Sequence, residues 1–357
     1  MTSTRGRSLL PRWRAALVAF AAALSLLFAT TGPAAAAEGS WQNLGGQATA
    51  QSAMYSATIG GNVYDVVRGS DGNVWFRFNG GGWRALGNFE AARTASPPRI
   101  IEFPPGRAFV AIRGMNSEIF YSQANNGSAN FWTPWQQIAS GAWAMGSPWL
   151  SLSSVTGSLR IDVPRYDGRI NYEYLMHDNG TIRPGTSWTY SLGFQLAGNA
   201  RDIEGESQIA LWGYGWPEWQ SYFTGGDGHV YRARTDQRNG QVTNVDQVPG
   251  GGICHSGVSA ARLGNQTAVV RPGAGGYANQ QRILISCTGS DGMTWINSSS
   301  DGGASWTGWR QPSGSPAPSS ATPAVNATYD TWTVTIRWNR ARSTLYPDNA
   351  LIGKRIT

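Results

Sequence analysis

Lysine is all but missing from this chain: Lys354 is the one example in 357 residues. Histidine is scarce as well, at three, and charged residues make up only 14%. The formal charge of +7 comes almost wholly from arginine, and no Lys/Arg run occurs beyond the first residues, so the charge pattern excludes a nucleic-acid surface. Three histidines without ligand spacing exclude a His-rich metal centre. A nucleophile elbow with partners and a phosphate-binding glycine loop are equally missing, and no cofactor is expected. Cysteine is limited to Cys254 and Cys287. An isolated pair in an oxidising compartment is read as a disulfide, closing a loop of about 30 residues that the chain-entropy model values at about 3 kcal/mol. The alternative, a metal pair or catalytic thiol, has only His255 beside it.

Long apolar runs are confined to the start. Arg5, Arg7, Arg12 and Arg14 precede an apolar stretch from Ala15 to Phe28, and Ala35-Ala36-Ala37 stands just before Glu38. This is the layout of a secretory signal peptide. The apolar stretch falls short of the roughly 20 residues that span a bilayer, so a membrane anchor is the poorer reading. The expectation is a leader at 1–37 cleaved after Ala37, and a single secreted domain at 38–357. The leader holds four of the positive charges, which leaves a weakly basic product with no membrane span.

What the chain has in abundance is glycine (46), tryptophan (17) and tyrosine (13), in short β-branched and aromatic runs broken by Gly, Asn and Asp. That composition reads as many short strands, and self-similarity organises them. Asp65–Trp75 runs as an apolar strand, Gly-x-Asp-Gly, a polar residue, then Val and an aromatic. The pattern returns loosely at Val110–Phe120, and again at Tyr166–Ile170, Gly225–Tyr231 and Gly289–Trp295, with a worn copy at Arg342–Tyr346. Asp-Gly between strand patterns signals a tight hairpin, because its turn needs positive φ. A second motif follows these hairpins: Trp41–Gly46, Trp83–Asn88, Trp132–Ile138, Trp188–Gly193 and Trp306–Gln311, with Asn244–Gly251 the weakest member.

Hairpin centres at Asp71, Asn116, Asp167, Asp227 and Asp291 are spaced by roughly 45 to 64 residues, which suits a four-stranded propeller blade. The Trp41 motif lacks a hairpin before it, and the hairpin near Tyr346 lacks a Trp strand after it. The predicted fold is therefore all-β, a β-propeller whose N- and C-terminal strands share one blade. The count is six blades, with seven or five as alternatives; a two-sheet sandwich leaves the repeats unexplained. Pro312–Pro323, rich in Ser, Ala and Pro, reads as an inter-blade loop.

Two resemblances follow. Arg68–Trp83, ending in Leu86-Gly87, resembles the repeat of the PLL-like and tectonin-like lectin propellers, which implies a secreted ring that binds sugars. Ser299-Ser300-Asp301-Gly302-Gly303-Ala304-Ser305-Trp306 is similar to the Asp-box (BNR repeat) of sialidases and other propeller glycosidases. Its Ser299, Asp301, Gly303, Ser305 and Trp306 form a hairpin device that supports fold and not catalysis.

A sialidase-like enzyme would need an arginine trio, a Tyr–Glu pair and an acid. Arg68, Arg113 and Arg337 follow apolar strands, and Tyr172-Glu173-Tyr174 supplies the neighbourhood. The Arg-Ile-Pro motif of that family is missing, and Arg99-Ile100-Ile101 echoes it only in part. Arg68 and Arg113 share one repeat position, which favours blade-edge hydrogen bonding. Other glycosidases need two carboxylates, leaving Glu204, Glu206 and Glu218 unranked; no catalytic residue is assigned, and the balance leans against an enzyme. Sugar binding asks for aromatic faces and a few polar groups. Trp75, Trp83, Trp295 and Trp306 recur once per repeat and read as core. Trp212, Tyr214, Trp216, Glu218 and Trp219 break the repeat in a Gly/Pro-rich loop and are the ligand-binding candidates, with Trp143 and Trp149 beside Met145 and Pro148 behind them. A glycan-binding lectin, a glycosidase and a protein-interaction propeller all remain open, and the repeats do not reveal oligomeric state.

Overall fold

The hairpin corners are where this backbone is most constrained. The structure is a computed structural model that describes residues 38–45, 53–87, 93–124, 130–138, 144, 146–152, 157–165, 169–178, 181–191, 207–212, 217–236, 241–263, 282–314, 323–327, 332–337 and 351–356. Gly72, Gly228 and Gly292 have φ of 80°, 81° and 74°, the left-handed region that a missing Cβ makes accessible. Each sends its N–H back to the glycine three residues earlier, at 2.9 to 3.0 Å. That earlier glycine is required for a different reason. A Cβ on Gly69 would lie 2.4 Å from Trp75 Nε1, and one on Gly225 would lie 2.6 Å from the Tyr231 ring. The aromatic folds over the corner and donates to its aspartate: Trp75 Nε1 to Asp71 at 3.1 Å, Tyr231 Oη to Asp227 at 2.8 Å, and Trp295 Nε1 to Asp291 at 3.1 Å. The copy at Asn116 pairs instead with Phe120, which has no donor, and Asn116 Oδ1 accepts from Glu118 N.

These corners build antiparallel sheets. After a short strand β1 (Gln42–Asn43), the first sheet orders β2 (Tyr55–Ile59), β3 (Asn62–Arg68), β4 (Val74–Phe78) and β5 (Arg84–Ala85). The second orders β6 (Arg99–Glu102), β7 (Ala108–Arg113), β8 (Ile119–Gln123) and β9 (Gln136–Gln137). The third has β10 (Trp149–Leu152), β11 (Leu159–Pro164), β12 (Arg169–Asp178) and β13 (Thr181–Ser191). The fourth has β14 (Ser207–Trp212), β15 (Pro217–Thr224), β16 (Val230–Asp236) and β17 (Val242–Gln247). The fifth has β18 (Ser259–Leu263), β19 (Arg282–Thr288) and β20 (Thr294–Ser299), and a lone bridge, Ile296 to Arg310, stands where a fourth strand would run. In the last sheet β21 (Ala324–Ala327), β22 (Trp332–Arg337) and β23 (Leu351–Ile356) are followed at the edge by β1, with Gln42 opposite Gly353.

The first strand of each sheet touches the first strand of the next: β2 meets β6, β6 meets β10, β10 meets β14, β14 meets β18, β18 meets β21, and β21 meets β2. Sheets whose inner strands are arranged in this way make a β-propeller, and no helix occurs among the described residues. Side chains stitch the inner strands together. Asn326 Oδ1 accepts from Ser56 N at 2.7 Å and its Nδ2 donates to Met54 O, while Ser259 Oγ accepts from Val325 N at 3.0 Å.

Apolar clusters fill the joints between sheets. Phe109, Ile119 and Tyr121 of the second sheet pack with Leu159, Ile161 and Leu175 of the third. Full burial of such a side chain is worth about 1.5–3 kcal/mol. A disulfide joins Cys287 of β19 to Cys254, in the segment before β18, with Cα atoms 5.8 Å apart. Residues 1–37, Asp167 and the worn copy at 342–346 lie outside the described residues.

Candidate functional site

The outer edges of neighbouring sheets meet at one recurring joint, built from the tryptophan motif. Between the first and second sheets, Trp135 Nε1 donates to Leu86 O at 3.1 Å. Gly87 (φ 79°) lets the ring come close, since a Cβ there would stand 3.4 Å from Trp135 Nε1. Three residues earlier, Trp132 packs edge-on against Phe76 at 5.4 Å and Tyr64 at 6.4 Å. The segment between is pinned to β8: Thr133 N donates to Gln123 O, Gln123 N to Thr133 Oγ1, and Ser122 Oγ to Thr133 O. Arg84, exposed on β5, crosses the joint to donate from Nη1 to Asn130 Oδ1 at 2.8 Å.

These residues enclose a cavity of about 470 Å³, lined by Phe76, Arg84, Leu86, Asn130, Trp132, Thr133, Pro134 and Trp135 among others. That volume lies within the roughly 300–1,000 Å³ of small-molecule sites. Aromatic walls with a few polar groups at the mouth suit a ligand with one apolar face and hydroxyls around its rim.

Strand register places equivalent residues at two further joints. Arg84 lies opposite Phe76, Asp246 opposite Arg232, and Arg310 opposite Ile296. Between the fourth and fifth sheets, Trp309 crowds Gly252, where a Cβ would lie 2.6 Å from the ring. Trp306, in the place of Trp132, packs on Tyr222 at 6.0 Å. Here Arg232 is buried, ion-paired with Asp246, and donates to Gly303 O at 2.6 Å. Between the fifth and last sheets, Glu38 takes the tryptophan's place and accepts from Arg310 Nη1 at 2.5 Å and Ser313 N at 2.7 Å.

The segment Ser299–Trp306 is a closed turn. Ser299 Oγ accepts from Gly303 N at 2.7 Å, Asp301 accepts from Ser305 N and Oγ, and Trp306 Nε1 donates to Gly303 O. Burial would raise the Asp301 pKa, but the hydrogen bonds from Ser305 and Ser299 outweigh it and hold the carboxyl below the ordinary value. Its carbonyls face the fourth sheet, with Gln220 Nε2 donating to Gly302 O at 3.0 Å.

The residues singled out from sequence are scattered. Trp219 is fully buried, with the Arg160 guanidinium 4.2 Å from its ring centroid. Arg160 and Asp162, both inaccessible to solvent, form a two-pronged ion pair at 2.6 and 2.8 Å, so Trp219 packs in the joint between the third and fourth sheets. Backbone register places Trp212 opposite Pro217 and Glu218 opposite Leu211, at the β14–β15 hairpin end. Tyr214, Trp216, Trp143, Met145, Glu204 and Glu206 lie outside the described residues. Trp149 is 1% exposed. Arg68 and Arg113 close β3 and β7, and Arg113 Nη1 reaches Ala144 O at 3.4 Å. Arg337 lies opposite Leu351. Glu173 sits opposite Ile161 of the apolar cluster, 5% exposed, and burial raises its pKa. Trp75 and Trp295 fold over the hairpin corners, half-buried. The Arg84–Trp135 slot went unnoticed in the sequence. The signal that could have found it is the extra tryptophan three before the shared one, present at Trp132 and Trp306 and replaced by Gly80 and Glu38 elsewhere.

No family model and no curated protein matches the chain. Solved structures do match in fold. The SapL1 lectin in complex with α-methyl fucoside is 13% identical over 81% of this chain and 89% of its own, with a TM-score of 0.53. AofleA from Arthrobotrys oligospora is 14% identical over 89% and 86%, with a TM-score of 0.57. The fucose-specific lectin from Aleuria aurantia is 13% identical over 82% and 90%, with a TM-score of 0.51. At such identities the likeness shows the fold, a β-propeller.

Proposed function

We propose that the protein is a secreted, lectin-like β-propeller that binds carbohydrate in the slot between the first and second sheets. One observation carries the reading: a cavity of about 470 Å³ is lined by Trp132, Trp135 and Pro134 together with Arg84 and Asn130. A pyranose offers a C–H face to stack on indole and equatorial hydroxyls for amide and guanidinium groups. The fucose-binding named for two of the matching propellers agrees with this reading. The loop from Trp212 to Trp219 is a second candidate surface.

The finer architecture belongs to the same proposal. Six sheets with inner strands in mutual contact, and β1 added to the edge of β23, support six blades closed by the chain ends. A density map with five or seven blades would overturn that count. The turn at Ser299–Trp306 is read as a sialidase-type Asp-box used for fold alone. Residues 1–37 are read as a cleaved export signal, so the secreted product should begin at Glu38 by mass spectrometry; retention of the leader rejects this.

The test of binding is a glycan array with the wild type, Trp132→Ala and Trp216→Ala, each checked for intact fold by circular dichroism. Hits lost in Trp132→Ala support the slot, and hits lost only in Trp216→Ala move the site to the loop. An empty array rejects the lectin reading. Turnover of fluorogenic glycosides that stops on removing one carboxylate would replace it with a glycosidase.

A further inference from the structure

We propose that the slot between the first and second sheets selects a carboxylate-bearing pyranose, a uronate or a sialate, with Arg84 receiving the carboxylate and Trp132, Trp135 and Pro134 the C–H face of the ring. The proposal rests on the reading of this slot as a sugar site and names the class of sugar.

The argument begins from a difference between equivalent joints. Where the fourth sheet meets the fifth, the joint's arginine is neutralised from within: Arg232 is ion-paired with Asp246. Where the fifth meets the last, Arg310 is paired with Glu38. At the slot, Arg84 occupies the same register position as Asp246 and Arg310, yet no Asp or Glu stands among the described residues that line the cavity. Among the described residues Arg84 has no carboxylate partner. Its one hydrogen bond there is to Asn130 Oδ1 at 2.8 Å.

That bond gives the cation a defined place. An exposed arginine on a short edge strand ordinarily samples many rotamers, and the bond across the joint ties this guanidinium to Asn130 in the cavity lining. One of its five N–H groups is used on Asn130, and the others remain donors of fixed geometry, matched to a carboxylate. The slot is also unbalanced in hydrogen-bonding type. Neutral sugars present hydroxyl protons that carboxylate acceptors take up best, and the described lining has none. A ligand that brings its own negative charge fits the donors present, and charge-assisted hydrogen bonds are about twice as strong as neutral ones.

The experiment compares three probes by titration calorimetry on the full secreted chain: methyl β-D-glucuronide, methyl α-N-acetylneuraminoside and methyl β-D-glucoside. The glucuronide and glucoside differ only in carboxylate against hydroxymethyl. At least one acidic probe should bind about tenfold or more tightly than the glucoside, and whichever does so identifies uronate or sialate. That preference should shrink with added salt. It should be lost in Arg84→Gln and persist in part in Arg84→Lys, which keeps the charge without the fork. Arg93→Gln, which removes an exposed charge outside the slot lining, should leave the preference in place. Equal affinity for all three probes, with binding still lost in Trp132→Ala, overturns the acidic preference and leaves the sugar site standing. An acidic preference that survives Arg84→Gln also overturns it. If none of the probes binds and the glycan array is empty as well, the sugar site fails and this proposal with it.

Discussion

Glu38 Oε2 lies 2.9 Å from Lys354 Nζ, which ties the first described residue to the last strand. Lys354 is 2% exposed and also donates to Ser313 Oγ at 2.7 Å. Arg310 and Ser313 complete the set around the carboxylate. The chain's one lysine is thus a buried structural cation, at the joint where Glu38 stands in the place that Trp132 and Trp306 take at two others.

Acid should loosen this clasp. Burial alone would raise the Glu38 pKa, but hydrogen bonds from Lys354, Arg310 and Ser313 outweigh it and lower the value from 4.5 to about 2. A depressed folded pKa contributes stability that is full above the unfolded value and is lost as pH falls through the folded one. Unfolding free energy should therefore decline between about pH 5 and pH 2. Glu38→Gln should be less stable at pH 7 by about 2–3 kcal/mol, with the gap closing near pH 2. Urea titrations across that range check it, and an acid limb of equal steepness in the variant would refute it.

The Arg160–Asp162 pair makes a sharper demand. Asp162→Ala removes a two-pronged carboxylate from a guanidinium that has no access to solvent, which should cost about 3–5 kcal/mol. Replacing both residues by apolar ones of similar size should recover most of that loss. Thermal unfolding of the single and double variants tests the pair. A single variant as stable as wild type would contradict the buried geometry.

Ser117 adopts φ 64° where the other hairpin corners have glycine. Relief of left-handed strain, less the extra freedom of glycine in the unfolded chain, should make Ser117→Gly more stable by about 0.5–1 kcal/mol. Gly72→Ala should go the other way by about 1–2 kcal/mol. Denaturation midpoints moving in the same direction for both would be inconsistent with the turn assignment.

The disulfide joins Cys287 of β19 to Cys254, which precedes β18, across a sequence separation of 33. The double variant Cys254→Ser/Cys287→Ser should lose about 3–4 kcal/mol. A reductant should lower the wild-type melting temperature and leave the double variant unmoved. Equal responses would place the effect elsewhere.

Much of the fold was legible because its defining contacts are short-range. Asp71 and Trp75 are four residues apart, so the hairpin and its glycine appear together in a single stretch of sequence. The closed turn at Ser299–Trp306 was readable for the same reason. The slot was not, because Arg84 and Asn130 come from different repeats 46 residues apart, and Trp135 meets Leu86 across 49. Sequence reasoning also grouped Trp219 with its exposed-looking neighbours. Nothing local announces that Arg160 of the preceding sheet covers its ring.

What the sequence by itself determined is the repeating unit: corners that need a glycine, aromatics that fold over them, and one disulfide. Those features follow from local sterics and from a cysteine pair with no other partner. Only the tertiary structure decided which joint sets an arginine beside a described lining without carboxylates, and which tryptophans are core. Each of those depends on two sheets packed side by side. One repeat supplies half of every joint, and the chemistry of the joint exists only when the other half is in place.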